Sequence, residues 1–199
     1  MEVALFDYGT GNLHSLTKAI ERAGHRVRIE SDADRILAAD ALVLPGVGAF
    51  GAAARLLEPA AQHLRAALDR GFPCLGICLG MQLLFGESEE GSGEGMGAIP
   101  GRVRRLRARR VPHMGWNAVQ PVAADPLFHS LAEPTVYFAN SYVVEPEDAD
   151  TVIAWTTYDD DRFPAAVRRF RTWGVQFHPE KSDVDGLRIL SNFLVQAAS

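Results

Sequence analysis

The sequence predicts an α/β protein with a mostly parallel central sheet, flanking helices and additional antiparallel strands. In the first 85 residues, short apolar strands alternate with amphipathic helices, and this order is typical of parallel sheets covered on both faces. The apolar segment at 73–77 runs through a glycine-flanked cysteine into a second apolar segment of helical character. Residues 135–177 hold four strand-like segments with short connections, which favour antiparallel pairing.

Composition indicates one folded domain over residues 1–199. Hydrophobic residues form 47% of the chain, and the net charge of −5 argues against general affinity for nucleic acid. No run of 18 apolar residues occurs, and the N-terminus lacks the basic region of a signal peptide. Cys74 and Cys78 are the only cysteines, and neither a disulfide framework nor zinc-ligand spacing is present. We expect a cytoplasmic protein without metal or cofactor.

The first half of the chain predicts strands at residues 3–6, 25–30, 41–44 and 73–77, with helices at about 13–23 and 52–70. The turn at 7–12 lacks the third glycine of a dinucleotide loop, so we interpret it as a tight strand-to-helix turn. The apolar face predicted for the second helix consists of Leu56, Leu57, Ala60, Leu64, Ala67 and Leu68. The turns at Gly9, Gly46 and Cys78 all fall at the carboxyl edge of the predicted sheet, where chemistry gathers in such folds.

Cys78 stands between Gly76 and Gly80 at the junction of strand and helix. This pattern is typical of a nucleophile elbow, because a Cβ at either glycine would collide with a neighbouring strand or helix. The helix beginning at Leu79 would direct its free N–H groups at the sulfur and favour the thiolate. A buried structural cysteine is the alternative.

Three later segments have more than one interpretation. Six arginines lie within residues 102–110, and we favour a solvated strand or a protein-docking face over a nucleic-acid site, since aromatic residues are absent. Met114 and Trp116 lie between turn residues and predict either an interface anchor or a buried tryptophan. Ser182 and Asp185 resemble a capping box for a last helix, whose core side would carry Val184, Leu187, Leu190 and Leu194.

A cysteine nucleophile needs a base and a group that orients this base. His178 follows the apolar strand 174–177, and Glu180 lies two residues further on, where it could accept a hydrogen bond from the second ring nitrogen. An oxyanion would need two N–H donors, for which the amides of Leu79 and Val47 are the candidates.

The elbow and the segment Phe177–Glu180 resemble the class I glutamine amidotransferases, a flavodoxin-like family with a Cys-His-Glu triad. Within that class, four segments resemble the glutaminase subunits of imidazole glycerol phosphate synthases. These segments are residues 7–13, 45–48, 112–117 and 178–182.

The resemblance implies a function and a set of residues. Cys78, His178 and Glu180 would hydrolyse glutamine, and the ammonia would pass to a (βα)8-barrel cyclase in a heterodimer that makes imidazole glycerol phosphate and an aminoimidazole carboxamide nucleotide for histidine biosynthesis. Substrate glutamine would be held by Gly48, Gln82, Glu90, Ser141 and Tyr142. The partner interface would include Asn12, Met114, Trp116, Tyr137 and Lys181. Asn140 departs from the family, which commonly has histidine there.

Three other functions are compatible with parts of the pattern. The chain could serve another synthase, for anthranilate or pyridoxal phosphate, although the docking segments disfavour this. It could be a stand-alone cysteine hydrolase, which would be fully active without a partner. It could also be an inactive scaffold, although all three triad residue types are present.

Overall fold

The computed structural model describes residues 1–9, 13–46, 48–122 and 124–199. The first half alternates strands and helices as predicted, with one additional short helix, α2. Its elements are β1 Glu2–Phe6, α1 Leu13–Arg22, β2 Arg26–Glu30, α2 Ala33–Leu37, β3 Ala41–Leu44, α3 Phe50–Asp69, β4 Cys74–Ile77 and α4 Leu79–Gln82.

The second half is mostly β structure and ends in a helix. Its strands are β5 Glu87–Ser88, β6 Gly101–Arg105, β7 His113–Ala118, β8 Gln120–Pro121, β9 Thr135–Asn140, β10 Tyr142–Pro146, β11 Val152–Tyr158, β12 Asp161–Arg169 and β13 Thr172–Val175. A 3-10 turn at Pro179–Lys181 precedes the last helix, α5 Asp183–Ala198.

The central sheet has eight strands in the order β2-β1-β3-β4-β13-β12-β11-β8. The first five are parallel and the last three pair antiparallel, so the predicted fold class is confirmed. A three-stranded sheet, β10-β6-β5, and a two-stranded sheet, β7-β9, complete the β structure of the described residues. The two core clusters contain α1 and α5 on one side of the central sheet and α2 and α3 on the other.

Two predictions about helix faces are wrong in part. Leu56 of α3 is exposed, while the other five predicted positions are buried. On α5, Val184 and Leu187 are exposed, and the buried face instead contains Gly186, Ile189, Leu190, Phe193, Leu194 and Ala197. The close approach at Gly186 sets this face, because a Cβ there would overlap the Pro179 carbonyl oxygen. At about 100° per residue, Val184 and Leu187 then point away from the core.

The predicted capping box at α5 is also wrong, since tertiary hydrogen bonds occupy both side chains. The Ser182 hydroxyl donates to the His178 carbonyl at 2.6 Å and accepts from the Tyr137 amide at 2.9 Å. The Asp185 carboxylate accepts from the Thr135 amide at 2.9 Å. These bonds tie the start of α5 to β9 and to the segment that carries His178.

The arginine-rich segment is only partly a solvated strand. Arg102 and Arg105 of β6 are exposed, but Arg104 is buried in a bidentate ion pair with Asp161, at 2.7 and 2.8 Å. Asp161 also accepts from the Arg107 amide at 2.8 Å. This pair joins the three-stranded sheet to β12 of the central sheet.

No helix in the part of the chain that the structure describes combines the length and apolar character needed to cross a membrane. No group of three or more His, Cys, Asp or Glu side chains in the same ranges is placed to hold a metal ion.

Asp161→Ala should lower the free energy of unfolding by about 3 kcal/mol, because it removes the bidentate partner of the buried Arg104 guanidinium and leaves only Glu145, whose Oε1 lies 3.4 Å from the Arg104 Nε. Urea denaturation measures this loss. The neighbouring Asp160 is 92% exposed, so Asp160→Ala should change stability by less than about 0.5 kcal/mol. Equal effects of the two substitutions would contradict a buried ion pair.

Candidate active site

The strand–turn–helix around Cys78 has the geometry of a nucleophile elbow. Cys78 adopts φ 48° and ψ −104°, a strained conformation for a residue with a side chain. Its amide donates to the Val175 carbonyl of β13 at 2.7 Å. A Cβ at Gly76 would lie 2.6 Å from the Gly80 carbonyl oxygen, and one at Gly80 would overlap the Leu44 carbonyl oxygen. The predicted need for both glycines is confirmed.

The helix after the elbow, α4, is a single turn, so it is too short to carry a large helix dipole. Any stabilisation of the Cys78 sulfur by this helix therefore comes from the N–H groups of its first turn. The Leu79 amide is the first of these groups, and Leu79 lines the same cavity as Cys78. Val47, the second predicted oxyanion donor, lies outside the described residues.

A cavity of about 280 Å³ gathers most of the predicted site residues at the carboxyl edge of the sheet. This volume suits a ligand the size of an amino acid. The lining residues are Gly46, Gly48, Cys78, Leu79, Gln82, Glu90, Ala139, Asn140, Ser141, Tyr142, His178 and Lys181. A larger cavity of about 460 Å³ lies beside β6 and contains none of the predicted catalytic residues.

His178 and Glu180 form a hydrogen-bonded pair next to the sulfur. The His178 Nδ1 and Glu180 Oε1 atoms are 2.9 Å apart, and both side chains are largely buried. The His178 amide donates to the Tyr137 carbonyl at 2.9 Å, which fixes the backbone beside β9. A Cβ at Gly46 would lie 3.0 Å from the Cys78 Cβ and 3.1 Å from the His178 Cε1. Because Gly46 has no side chain, the side chains of Cys78 and His178 can come together beside it.

The electrostatics of this group favour an imidazolium. Burial lowers the pKa of His178, but hydrogen bonds to Cys78 and Glu180 and the negative charges of both outweigh burial and raise the pKa to about 10. The ring therefore carries a proton at neutral pH. The second cysteine, Cys74, is fully buried, and burial raises the pKa of its thiol well above the usual value, so it is unreactive.

The predicted glutamine-binding side chains are held in place by backbone groups. Gln82 Nε2 donates to the Tyr142 carbonyl at 3.1 Å, and Glu90 Oε2 accepts from the Phe50 amide at the start of α3, also at 3.1 Å. Asn140, where histidine is common, donates from Nδ2 to the same Tyr142 carbonyl at 3.1 Å. Its Oδ1 is buried and has no partner among the described residues.

The predicted interface residues lie close to the cavity. Met114 and Trp116 are 58% and 50% exposed on one face of β7, so the alternative of a buried tryptophan is wrong. The Trp116 and Tyr137 rings meet edge to face, with centroids 6.1 Å apart. Lys181 is exposed and also lines the cavity. Asn12 lies outside the described residues.

Gln176 was not identified from the sequence as a residue that contacts the Cys78 sulfur. Gln176 donates from Nε2 to the Cys78 Sγ at 3.5 Å and is fully buried. The signal was a polar residue at the end of an apolar strand, two positions before His178 and therefore on the same face.

The sequence model of the family Glutamine amidotransferase class-I matches residues 4–197. The chain belongs to this family. It is 45% identical to the imidazole glycerol phosphate synthase subunit HisH of Synechococcus elongatus, over 100% of this chain and 94% of the relative. It is also 45% identical to the subunit of that name from Geobacillus kaustophilus, over 96% of this chain and 95% of the relative.

Solved structures agree on the fold of this amidotransferase family member. A crystal structure of a glutamine amidotransferase superimposes with a TM-score of 0.78 at 18% identity, covering 99% of both chains. The structure of PurLQS from Thermotoga maritima contains a chain that superimposes with a TM-score of 0.78 at 19% identity, covering 98% of both chains. At these identities the likeness concerns the fold alone.

The imidazole of His178 should titrate near pH 10 in an NMR pH series, because the charges beside it favour its protonated form. Since the folded pKa lies above the unfolded value near 6.5, the stabilisation is fully present below about pH 6.5 and is lost as pH rises through about 10. Cys78→Ala should lower the midpoint, since one of the two favourable partners is removed.

His113 is an internal control for that titration. Burial lowers the pKa of His113 to about 4, with the charge of Asp159 opposing it, and its ring stacks on Phe138 and Tyr158. Its midpoint should not move in Cys78→Ala. An unshifted His178 in this variant would contradict the contact with the sulfur.

Proposed function

We propose that this chain is the glutaminase subunit of imidazole glycerol phosphate synthase and hydrolyses L-glutamine to glutamate and ammonia. The observation that carries the proposal is the meeting of Cys78 and His178 at one amino-acid-sized cavity, with Glu180 hydrogen-bonded to the far side of the His178 ring. The family and the relatives at 45% identity support the same reaction and its place in histidine biosynthesis. In this proposal residues 1–199 act as one amidotransferase domain.

Acylation would use Cys78 and His178. The thiolate attacks the side-chain carbonyl carbon of glutamine, a C–S bond forms, and the negative charge moves to the carbonyl oxygen. The Leu79 amide would donate to that oxyanion, and such donors contribute about 3 kcal/mol each. His178 then gives its proton to the amide nitrogen, the C–N bond breaks, and ammonia leaves.

Deacylation would use the same residues in the reverse roles. Neutral His178 takes a proton from water, and the resulting hydroxide attacks the thioester carbon. The C–S bond breaks, glutamate leaves, and the thiolate and imidazolium are restored. Glu180 accepts from Nδ1 throughout, which holds the ring in one orientation and stabilises its charged form.

Substrate binding would depend on side chains that are already ordered. The Glu90 carboxylate, anchored at the start of α3, is suited to the α-ammonium group of glutamine, and Gln82 is suited to a polar group of the ligand. Gly48 and the backbone of Ser141 and Tyr142 would complete the site. Asn140 replaces the common histidine without a contact to the triad in the described structure, so the triad chemistry does not depend on it.

We place the cyclase partner, a (βα)8 barrel, over the face that carries Met114, Trp116, Tyr137 and Lys181. This face adjoins the cavity, because the Tyr137 carbonyl binds the His178 amide and the Ala139 carbonyl lies 4.0 Å from the Cys78 sulfur. Ammonia would therefore leave the site directly into the covered interface of a heterodimer. Both cysteines are free, in keeping with a reducing, cytoplasmic setting.

Cys78→Ala should abolish glutamate release while leaving the fold and partner binding intact, because the lost side chain is small. Glutamate is measured enzymatically with and without the cyclase and its nucleotide ligand, and the unaltered chain should be weakly active until both are added. Cys74→Ala is the control and should retain glutaminase activity. Full activity of the isolated chain would argue for a stand-alone hydrolase.

Trp116→Ala should weaken association with the cyclase by about 2 kcal/mol if the ring is a central anchor of the interface. Isothermal titration calorimetry measures the change. Phe170 is exposed to a similar degree on the turn between β12 and β13, so Phe170→Ala is a matched control that should leave affinity unchanged. Equal affinities of the Trp116 variant and the unaltered chain would move the interface away from β7.

A further inference from the structure

Gln176 contacts the sulfur through the pairing of β13 with β4. These strands are parallel, with Val175 beside Ile77, so the next residue of each, Gln176 and Cys78, are neighbours. The Gln176 amide nitrogen of the backbone donates to the Ala165 carbonyl at 2.9 Å, which fixes the residue from its other side. From this position the side-chain Nε2 lies 3.5 Å from the Cys78 Sγ.

Burial of the Gln176 side chain lowers the stability of the fold, because one of its polar atoms finds no hydrogen-bond partner in the protein. Gln176 is 0% exposed, and its Oε1 is buried without a partner among the described residues. A buried amide group that lacks a hydrogen-bond partner is unfavourable, because it has lost its hydrogen bonds to water and gained none in the protein. An apolar side chain of the same length would avoid this loss. Packing therefore does not explain why a polar residue occupies position 176.

The orientation of the amide follows from the charge of its neighbour. With Nε2 towards the sulfur, the amide presents an N–H donor to the Cys78 Sγ, the atom that carries the negative charge in an attacking thiolate. The opposite orientation would place the carbonyl dipole against that charge and leave two N–H donors buried in place of one oxygen. The donor orientation is therefore the stable one.

We propose that Gln176 is a further catalytic residue, whose side-chain N–H stabilises the anionic sulfur of Cys78 in the elbow. The catalytic role inferred for Gln176 rests on the proposed function, whereas its contact with the Cys78 sulfur does not. A hydrogen bond to the charged form of a group favours that form. Cys78 thus receives stabilisation from two residues on one face of the chain, the imidazolium of His178 and the neutral amide of Gln176.

The amide would act in both halves of the reaction. Before attack it favours the thiolate and holds the sulfur beside His178. In deacylation it donates to the sulfur as the C–S bond breaks and negative charge returns to it. Gln176 does not line the cavity in the described structure, so its replacement should lower kcat with little change in KM for glutamine.

The other ionisable groups near the sulfur are left unaltered by a change at Gln176. His178 faces the sulfur and Glu180 binds the other side of its ring. Three further ionisable residues line the cavity. These residues are Glu90, Tyr142 and Lys181. A shift in the pH dependence of sulfur reactivity in a Gln176 variant therefore reports on the amide.

The test is Gln176→Met in the full chain, with the rate of alkylation by iodoacetamide followed against pH and the label located on Cys78 by peptide mass spectrometry. Methionine keeps the length and removes the donor. We expect the midpoint of the alkylation profile to rise by about one pH unit, equivalent to about a tenfold lower rate below the midpoint. The free energy of unfolding should stay the same or increase, because an unpartnered buried oxygen is removed.

Gln62→Met is the matched control, since Gln62 is exposed on α3, and it should leave the alkylation profile unchanged. If Gln176→Met does not fold, Gln176→Leu takes its place. A second measurement needs no variant, since the side-chain ¹⁵N resonance of Gln176 should titrate with the alkylation midpoint of Cys78.

Two results would overturn the inference: an unchanged midpoint in whichever Gln176 variant folds, or a Gln176 resonance that does not respond to the titration of Cys78. Alkylation requires neither glutamine nor the cyclase, so its outcome is separate from that of the proposed function. A shifted midpoint in a chain that releases no glutamate would retain the contact and reject the reaction. An unshifted midpoint in a chain that does release glutamate would reject the role of Gln176 and retain the proposed reaction.

Discussion

The parallel pairing of β4 with β13 is the constraint on which the site depends. It joins two segments that are about a hundred residues apart in the chain and aligns Ile77 with Val175. The hydrogen bond from the Cys78 amide to the Val175 carbonyl extends that alignment into the elbow. Because side chains alternate along an extended chain, Gln176 and His178 then face the sulfur while Phe177 enters the core.

Close packing of backbone keeps the elbow in its strained conformation. Gly76, Gly80 and Gly46 each bring main-chain or site atoms nearer than a Cβ would allow. The sheet and helices on either side are buried, so the unfavourable φ of Cys78 is compensated by the packing around it. The same closeness brings the imidazole and the sulfur together, where the hydrogen bonds and neighbouring groups raise the pKa of His178 against the effect of burial.

The β7–β9 ribbon connects the site to the exposed face that carries Met114 and Trp116. One strand supplies the Tyr137 and Ala139 carbonyls that face His178 and Cys78, and the other presents Met114 and Trp116 outwards. A partner that contacts the exposed side chains would therefore act on the backbone beside the catalytic residues. This arrangement gives a short path from the exposed face of β7 to the backbone beside Cys78 and His178.

The sequence by itself determined the alternation of strands and helices, the elbow at Cys78 and the His178–Glu180 pair, because each is recorded in local pattern and spacing. It misjudged Leu56, Val184, Leu187 and the Ser182–Asp185 cap, where the direction of a helix or the target of a hydrogen bond depends on distant atoms. Only the tertiary structure decided that β13 lies beside β4, that Arg104 pairs with Asp161 across two sheets, and that Gln176 reaches the sulfur. These contacts join residues that are far apart in the chain. Which residues come into contact depends on which strands pair and in what register, and local sequence patterns do not record this.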